Sequence, residues 1–593
     1  MKRFVLSLLL LPVFITYGQQ VEPTWESINK RGYPQWFNDA RLGIFIHWGL
    51  YSVPAYASKE GYGEWFYRGL MSGDIERRRI MSLYADTTLP LQEQYSQLTN
   101  YWHGELWNPK EWAHLFRESG AKYVVLVTKH HDGYCLWDSP QQPQWNSTVN
   151  GPHRNIVEEL TAAVRNESLR MGFYYSLPEW NNPRHIWMVS PNDKIDDYVD
   201  NYMIPQFKDL VSRYKPDLIF SDGDWLNTAA QFHSEELISW YYNTVGPDAI
   251  VNDRWGRGTL HGFKTPEYSA GISTSDRPWA ECRGIGRSFG FNRNEDISNF
   301  LTDAELIKHL CELVADGGGL TLNVGPMSDG TIPFIQQERL LNLGRWMKIN
   351  GEAIYGSELP DDGAHCNHVR ITKTLKRVTK RLPDSDSIDF DWVRNSPDPS
   401  ISVDYFDIVW HGKVTVPSDG KYTFRTEADN EIIVVADGDT LLIYNKDWAD
   451  NSGAQKTLEL KEGQQLNFDI YFHEKDLEAS ARFLWSANGK PFTSVPAVWV
   501  GMVSSVNTTR CYTRRGNSYY IFLFDRPSIE VEDALNFKLP DDATIRMLGT
   551  DVNLDWSQNN NLLLKVDLST IPMDKINALE YVWVLKIDNY NAD

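Results

Sequence analysis

Short apolar runs alternate with amphipathic stretches from about residue 33 to residue 354. This alternation is typical of βα units, in which each buried parallel strand is followed by a helix that covers the sheet. The clearest helix begins with the capping box Thr302-Asp-Ala-Glu305 and ends at Gly317-Gly-Gly319. Because βα units repeated over this length fit a closed barrel better than an open sheet, the pattern predicts a (β/α)8-type, TIM-like barrel of the α/β class. The strand candidates are 43–46, 123–127, 171–175, 217–220, 249–251 and 320–324.

The pattern changes after Ser357, where the helical period is lost and alternating strands separated by turn signals follow. Examples are Lys413-Val-Thr-Val, Ile432-Ile-Val-Val-Ala-Asp-Gly438 and Tyr519-Tyr-Ile-Phe-Leu-Phe524. We therefore expect all-β modules after the barrel. The predicted organisation is a leader at 1–18, the barrel domain at 19–362, an inserted β domain at 363–502 and a C-terminal β-sandwich at 503–593.

Residues 1–18 have the composition of a secretory signal peptide, with Lys2 and Arg3 before an apolar run that extends from Phe4 to Tyr17. That run is shorter than a bilayer-spanning helix needs, and no Cys follows it to carry a lipid anchor. We expect secretion across the inner membrane into the periplasm, without a membrane anchor. The net charge of −21 argues against nucleic acid as a partner, since nucleic-acid-binding surfaces are basic.

The 5 cysteines are odd in number and widely spaced, and they form no CxxC pair or Cys/His cluster. We therefore expect neither structural zinc nor a disulfide scaffold. At least one thiol must stay free or pair between chains. The positions are Cys135, Cys282, Cys311, Cys366 and Cys511.

Polar side chains occur at the carboxyl ends of five predicted strands. In a parallel barrel these ends meet on one face, where the fold carries its chemistry. Single residues have structural explanations, since Asp222 and Asp224 can cap the next helix and Arg254 can form a structural ion pair. Their joint placement favours a functional site. The strand-end residues are His47, His130, His131, Asp222, Asp224, Asn252, Asp253, Arg254 and Asn323.

Two kinds of chemistry use such a set. In glycoside cleavage one carboxylate attacks the anomeric carbon, while a second carboxyl group protonates the leaving oxygen and later activates water. A metal-dependent hydrolase would instead bind its ion with His130, His131, Asp222 and Asp224. Such barrels usually begin with a His-x-His on the first strand, whereas His47 stands alone, so we favour chemistry without a metal or cofactor. A third possibility is a non-catalytic glycan-binding protein on a degenerate barrel.

Six segments form a specific combination of motifs, and they follow one another along the barrel region. Together they resemble glycoside hydrolase family 29, the α-L-fucosidases. The resemblance implies a barrel that hydrolyses terminal α-L-fucose from glycans with retention of configuration, and it continues in the last part of the chain. The segments are Trp36-Phe-Asn-Asp-Ala-Arg-Leu-Gly-Ile-Phe-Ile-His-Trp-Gly49, Lys129-His-His-Asp-Gly-Tyr134, Tyr214-Lys-Pro-Asp-Leu-Ile-Phe-Ser-Asp-Gly-Asp-Trp225, Val251-Asn-Asp-Arg-Trp-Gly256, Ser288-Phe-Gly-Phe-Asn-Arg-Asn-Glu295 and Gly319-Leu-Thr-Leu-Asn-Val-Gly-Pro326.

The resemblance also implies roles for individual residues. Asp222 is the expected nucleophile, which forms a covalent fucosyl-enzyme intermediate. Phe220 stands where many relatives have Trp, and strand alternation places it on the same face as Asp222, so it is expected to shape the pocket floor. The other residues expected to bind fucose are His47, Trp65, His130, His131, Tyr174, Arg254 and Phe289.

The acid/base lies on a variable loop in this family. The stretch Phe263-Lys-Thr-Pro-Glu-Tyr268 resembles bacterial members in which the glutamate has that role, so Glu267 is the expected acid/base. Glu64, in Gly-Glu-Trp-Phe, matches another carboxylate of the family site and is the alternative, with Glu281 third. A retaining mechanism requires the two carboxyl groups to lie about 5–5.5 Å apart.

The inserted β domain resembles a PA14 domain through Val414-Thr-Val-Pro-Ser-Asp-Gly-Lys-Tyr-Thr-Phe-Arg-Thr-Glu-Ala-Asp-Asn430. Some PA14 domains bind glycans through calcium held by paired aspartates. Here Asp429 is followed by Asn430 and Glu431, a weaker calcium signature, so glycan binding and a structural role both stay open. The expected partners of the whole protein are fucosylated oligosaccharides or glycoconjugates, and its oligomeric state is left open.

Overall fold

The computed structural model describes residues 20–59, 61–184, 195–268, 276–374, 380–381, 386–393, 396–397, 401, 406–446, 451–474 and 479–590. The predicted signal peptide lies outside these residues. The chain divides into a first unit, Met1–Phe37 with Val125–Phe263, and a second unit, Asn38–Val124 with Lys264–Asp593. Among the described residues, no helix combines the length and the apolarity that crossing a bilayer requires.

Seven strands form one curled sheet in the order β5-β4-β3-β2-β1-β7-β6, and neighbours such as β3 and β4 run parallel. Most of these strands are buried on both faces, as helix-covered parallel strands are. The predicted barrel-type α/β fold is confirmed, with seven strands in the sheet of the described residues. The strands are β1 Leu42–Ile46, β2 Tyr123–Lys129, β3 Arg170–Ser176, β4 Leu218–Asp222, β5 Ile250–Val251, β6 Ala280–Gly284 and β7 Gly319–Val324.

Amphipathic helices alternate with these strands. The predicted capping box is present, since the Thr302 side chain accepts from the Glu305 N–H while the Glu305 carboxylate accepts from the Thr302 N–H. The helices are α1 Trp25–Lys30, α2 Gln35–Ala40, α3 Phe66–Ser72, α4 Ile75–Met81, α5 Leu91–Ser96, α6 Pro109–Glu118, α7 Ile156–Asn166, α8 Asp196–Tyr198, α9 Ile204–Tyr214, α10 Ser234–Val245, α11 Asp303–Ala315, α12 Phe334–Asn350 and α13 Met573–Ala578. Short 3₁₀ turns lie at Leu50–Ser52, Gly63–Trp65, Gln97–Tyr101, Ile297–Asn299, Gly351–Ala353 and Ser452–Ala454, and a π-helix lies at Val199–Met203.

The chain after α12 is almost entirely antiparallel β structure, as predicted. A five-stranded sheet has the order β11-β18-β13-β16 with β19 beside β18, and a twelve-stranded sheet has the order β15-β14-β17-β12-β20-β21-β26-β23-β24-β25-β22 with β8 beside β20. The strands are β8 Asn367–Thr374, β9 Lys380–Arg381, β10 Asp386–Ser387, β11 Asp389–Val393, β12 Phe406–Thr415, β13 Gly420–Ala428, β14 Glu431–Ala436, β15 Asp439–Asn445, β16 Gln455–Leu460, β17 Gln465–Glu474, β18 Ala479–Ala487, β19 Thr493–Ser494, β20 Val498–Arg515, β21 Ser518–Leu523, β22 Glu530–Ala534, β23 Thr544–Met547, β24 Asn553–Gln558, β25 Leu563–Asp567 and β26 Trp583–Asp588.

Two separate apolar cores stabilise this β region. One packs alternate residues of β12, β13, β17 and β18 around Trp410 and Phe424, and the other is built on β21, β26 and their neighbours around Ile521 and Leu585. The long strand β20 takes part in both, because Val503 lies in the first core and Tyr512 in the second. The predicted domain boundary at 502/503 lies inside this strand, and the domain limits stay a prediction.

One disulfide joins Cys366 to Cys511, which the cysteine spacing did not predict. The three other cysteines, Cys135, Cys282 and Cys311, are buried and form no disulfide within the described part of the chain. The two cysteines of this disulfide are separated by 145 residues along the chain.

Candidate active site

Asp222 ends strand β4 and is held by three donors of the first unit. The Tyr174 hydroxyl donates to its Oδ2 at 2.8 Å, and the Arg254 guanidinium donates to its Oδ1 at 3.2 Å. The imidazole Nε2 of His131 lies 3.4 Å from Oδ2. Only 7% of the residue is exposed, so the carboxylate is buried. Both of its oxygens nevertheless have polar partners.

The charge of Asp222 follows from these contacts. Burial by itself would raise the pKa of its carboxyl group, but the hydrogen bond from His131, the charge of Arg254 and the Tyr174 hydroxyl outweigh burial and hold that pKa well below its usual range. Asp222 is therefore an ionised carboxylate. An ionised carboxylate at the tip of an inner strand has the charge state that a nucleophile requires.

The backbone that carries Asp222 is fixed by Asn252, which follows strand β5. The Asn252 amide accepts from the Ser221 N–H at 2.9 Å and donates to the Ser221 carbonyl at 2.8 Å. The Ser221 hydroxyl donates to the carbonyl of Arg254 at 2.7 Å. Ser221 directly precedes Asp222 on strand β4, so these hydrogen bonds hold the backbone on which Asp222 and Arg254 lie. They therefore also fix the directions of the Asp222 and Arg254 side chains.

Aromatic rings pack around the Asp222 carboxylate. The rings of His130 and Tyr174 stack at 5.6 Å, and the rings of Tyr174 and Phe220 stack at 6.0 Å. The Arg254 guanidinium lies 5.3 Å from the Phe220 ring centre. The first unit thus gathers six of the predicted site residues, namely His130, His131, Tyr174, Phe220, Asp222 and Arg254.

A buried ion pair supports the two histidines, and the sequence reasoning did not single it out. Lys129 donates to Glu179 at 2.8 Å, and the two side chains are 0% and 2% exposed. Glu179 also accepts from the Tyr202 hydroxyl at 2.8 Å and from the Asn182 amide at 2.9 Å. The Trp180 N–H donates to the His131 carbonyl at 2.7 Å, so the loop that carries Glu179 is attached directly to the histidine segment.

Glu267 lies in the second unit, where its Oε1 accepts from the Tyr62 hydroxyl at 2.9 Å. Tyr62 also packs against Tyr268 and Phe289, with ring centres 6.2 and 5.5 Å away. Burial, and then the neighbouring carboxylate of Glu267, raise the pKa of Tyr62, so its hydroxyl stays a donor. Sequence reasoning missed Tyr62, because a tyrosine in a loop carries no signal of its own.

Phe289 connects Glu267 and its neighbours with His47. The rings of His47 and Phe289 lie 4.9 Å apart, and the His47 Nδ1 is hydrogen-bonded to Asn323 at 2.7 Å. The Asn323 amide in turn donates to the Phe289 carbonyl at 2.7 Å. The strand-end residues His47 and Asn323 therefore act as one hydrogen-bonded pair that positions the Phe289 loop.

Glu64 is a buried carboxyl group near these residues. It is 2% exposed and accepts from the Gly290 N–H at 2.7 Å. Burial raises its pKa to about 8, more than the Gly290 hydrogen bond lowers it. Glu64 is therefore protonated at neutral pH, whereas Asp222 is ionised. The adjacent Trp65 is half-buried at the end of the Gly63–Trp65 turn.

Glu281, the third acid/base candidate, is paired with a histidine of a covering helix. It is fully buried on strand β6, and its Oε2 is paired with the imidazole of His309 on helix α11 at 2.6 Å. A carboxylate that faces a covering helix is not available to a substrate. Among the described residues, no group of three or more His, Cys, Asp or Glu side chains is arranged to hold an ion.

Comparison with known proteins identifies the family of the chain. Residues 14–352 match the family model for alpha-L-fucosidase, and residues 370–498 match that for the PA14 domain. An alpha-L-fucosidase of Dictyostelium discoideum is 40% identical over 365 residues, which are 60% of this chain and 79% of that protein. The tissue alpha-L-fucosidase of Homo sapiens is 38% identical over 368 residues, which are 59% of this chain and 77% of that protein.

A solved structure extends the similarity over most of the chain. The alpha-fucosidase of Thermotoga maritima, in complex with a mechanism-based inhibitor, aligns with a TM-score of 0.63 and 27% identity, covering 96% of this chain and 99% of that one. The alpha-L-fucosidase family model alone spans more than half of the present sequence. The chain therefore belongs to the α-L-fucosidase family, GH29 type, and is a glycoside hydrolase that also carries a PA14 domain.

Proposed function

We propose that the protein is a retaining exo-α-L-fucosidase that works by double displacement, with Asp222 as the nucleophile. The observation that carries this proposal is the buried, ionised Asp222 carboxylate, whose neighbours favour its charged form. In the first step a carboxylate oxygen of Asp222 bonds to C1 of fucose as the bond from C1 to the leaving oxygen breaks. In the second step a water oxygen bonds to C1 and Asp222 leaves as a carboxylate.

We propose Glu267 as the acid/base that protonates the leaving oxygen and later takes the proton from water. Its support is the family motif together with the position of the carboxyl group, which is half-buried and accepts a hydrogen bond from Tyr62. Glu64 stays the alternative because it already carries a proton at neutral pH. Its burial and its hydrogen bond to Gly290 make repeated proton exchange harder.

The remaining site residues are proposed to bind fucose. The imidazoles, the Tyr174 hydroxyl and the Arg254 guanidinium supply hydrogen-bond donors and acceptors for sugar hydroxyls, while rings such as Phe220 and Phe289 supply apolar surface for the C5 methyl group. An added hydroxyl at that carbon would lose its water partners, which favours a 6-deoxy sugar. The proposed residues are His47, Trp65, His130, His131, Tyr174, Phe220, Arg254 and Phe289.

Azide rescue tests both carboxylate assignments in one assay. The Asp222→Gly variant should lose at least about 10³-fold in kcat on an aryl α-L-fucoside, and azide should restore turnover with β-L-fucosyl azide as product. A Glu267→Gly variant should instead give α-L-fucosyl azide, since azide then attacks the fucosyl-enzyme. A relative supports this design, because a Thermotoga maritima variant with an aspartate replaced by glycine is described as an alpha-L-fucosynthase.

The configuration of the fucosyl azide product shows which carboxyl group has which role. Undiminished activity in Asp222→Gly, or rescue without the β-azide, would refute the nucleophile assignment. If Glu64→Gly and not Glu267→Gly yields the α-azide, the acid/base role belongs to Glu64.

We also propose a location and a division of labour for the whole chain. The leader composition supports a signal peptide at 1–18, and hence a periplasmic enzyme that acts on fucosylated oligosaccharides or glycoconjugates. The proposed domain limits are 19–362 for catalysis, 363–502 for the PA14 domain and 503–593 for the C-terminal β-sandwich. The matched PA14 segment at 370–498 is consistent with these limits.

A further inference from the structure

Trp225 is the one tryptophan among the described residues that is exposed to solvent, with 42% of its surface accessible. The other described tryptophans are buried or half-buried, as large apolar rings normally are. Leaving such a ring in water forgoes the stabilisation that burial would provide. An exposed tryptophan therefore needs an explanation other than core packing.

Trp225 lies beside the nucleophile. It follows Asp222 by three residues, and its ring centre is 5.2 Å from the ring of His131. That imidazole is the same one whose Nε2 lies 3.4 Å from the Asp222 carboxylate. His131 thus contacts both the buried nucleophile and the exposed indole.

The turn between Asp222 and Trp225 is fixed. Gly223 has φ +92°, a left-handed conformation that glycine adopts without strain, and a Cβ at this position would lie 2.3 Å from Pro178. Asp224, the next residue, is partly buried, and burial followed by the charge of Asp222 raises its pKa. The turn that carries the indole is therefore packed against neighbouring residues.

In an exo-glycosidase the fucose ring occupies the space at the nucleophile, and the leaving group extends toward solvent. A sugar ring or an aryl ring has a flat apolar face that stacks on indole. Resting on the proposed role of Asp222, we propose that Trp225 is the platform that binds the leaving group and so determines which fucosylated acceptor sugars are released fastest.

Trp225 then acts in one half of the reaction. Its contact with the leaving group contributes to formation of the fucosyl-enzyme, and to transfer of fucose onto an acceptor sugar in the reverse sense. It contributes nothing to a substrate whose leaving group is a single atom. The size of the leaving group therefore distinguishes the two possible roles of Trp225. A platform affects only substrates with a large leaving group, whereas a residue that supports His131 affects all substrates.

The test compares Trp225→Ala and Trp225→Phe with the full-length parent enzyme on 4-nitrophenyl α-L-fucoside, a fucosyl disaccharide and α-L-fucosyl fluoride. We expect kcat/KM of Trp225→Ala to fall about tenfold on the first two substrates and to stay unchanged on the fluoride. Trp225→Phe should recover most of the loss, since it keeps an aromatic face. Inhibition by free L-fucose should be the same in all three proteins. Val149→Ala, which alters another apolar residue of similar exposure (41%), should change nothing.

An equal fall on the fluoride, or a weaker inhibition by fucose, would show that Trp225 supports His131 and would overturn the proposal. So would unchanged kcat/KM on all substrates. None of these results bears on the role of Asp222, which the azide experiment tests separately.

Discussion

Asp222 and Glu64 are buried carboxyl groups with opposite electrostatic surroundings. Burial alone raises the pKa of both, but Asp222 has His131, Arg254 and Tyr174 as donors, whereas Glu64 has chiefly a backbone N–H. Because the folded-state pKa of Asp222 is lowered, its ionisation stabilises the fold above about pH 4, and that stabilisation is lost as the pH falls. The acid limb of a pH–rate profile should therefore not report Asp222.

The contribution of Glu64 to stability should depend on pH in the opposite sense to that of Asp222, and Glu64→Gln should remove it. The pKa of Glu64 is raised to about 8, so its favourable contribution is complete below about pH 4.5 and is lost as the pH rises through 8. The parent enzyme should lose on the order of 4–5 kcal/mol across that range from this group, and the glutamine variant should not. Urea unfolding at pH 5, 7 and 9 measures the difference. Glu93→Gln, at an exposed glutamate of helix α5, is the control. Parallel pH curves for Glu64→Gln and the parent would contradict the expectation.

Part of the candidate site could be predicted from the joint placement of polar residues at strand ends, because several such residues on one face of a barrel are hard to explain by packing. Asp222, Arg254 and the two histidines were found in this way. Tyr62 and Glu179 were not, since each lies in a loop and acquires its partner only when distant segments meet. The exposure of Trp225 is likewise a property of the folded chain, although its place in the motif was visible.

At the scale of elements, the pair Lys129–Glu179 joins the end of β2 to the loop after β3. An ion pair buried this deeply gains stability only while both charges and their hydrogen bonds are present. Removing one partner leaves an uncompensated charge in a dry environment, beside the Tyr175 ring that lies 4.1 Å from the ammonium. The segment that carries His130 and His131 depends on both.

A double-mutant cycle on this pair should show strong coupling. Lys129→Met and Glu179→Gln should each lower the free energy of unfolding by about 3–5 kcal/mol, and the double variant should lose much less than the sum. The single variants should also lower kcat on an aryl fucoside more than they raise KM, because the histidines shift relative to Asp222. Denaturant unfolding and initial-rate kinetics measure both effects. Strictly additive losses would show that the pair does not act as a unit.

Six strands of the parallel sheet were predicted within a few residues, because their apolar runs are continuous. Strand β6, Ala280–Gly284, was missed although it is fully buried. Its sequence contains Glu281 and Arg283, which locally argue against a buried strand. Glu281 is tolerated there because His309 of α11 pairs with it, and no local pattern reveals such a partner.

At the scale of the whole molecule, the PA14 domain is inserted into the β region through two segments that pair with each other. Strand β8 enters it and β20 leaves it, with Asn367 opposite Arg510 and Thr374 opposite Met502. The disulfide Cys366–Cys511 closes this connection. Sequence spacing could not reveal that closure, since it joins positions 145 residues apart.

The pairing of β8 with β20 predicts that the PA14 domain can be removed without loss of catalysis. Replacing residues 375–501 with Asn-Gly would connect Thr374 to Met502, which face each other in the antiparallel ladder, through a two-residue hairpin turn. None of the seven strands of the parallel sheet is touched, so kcat/KM on an aryl fucoside should stay within about threefold of the parent. Joining Lys373 to Met502 with the same turn is the matched control, because it shifts the register by one residue and should reduce soluble yield. An insoluble or inactive in-register deletion, with the Cys366–Cys511 bond intact by mass spectrometry, would show that the catalytic domain needs the PA14 domain to fold.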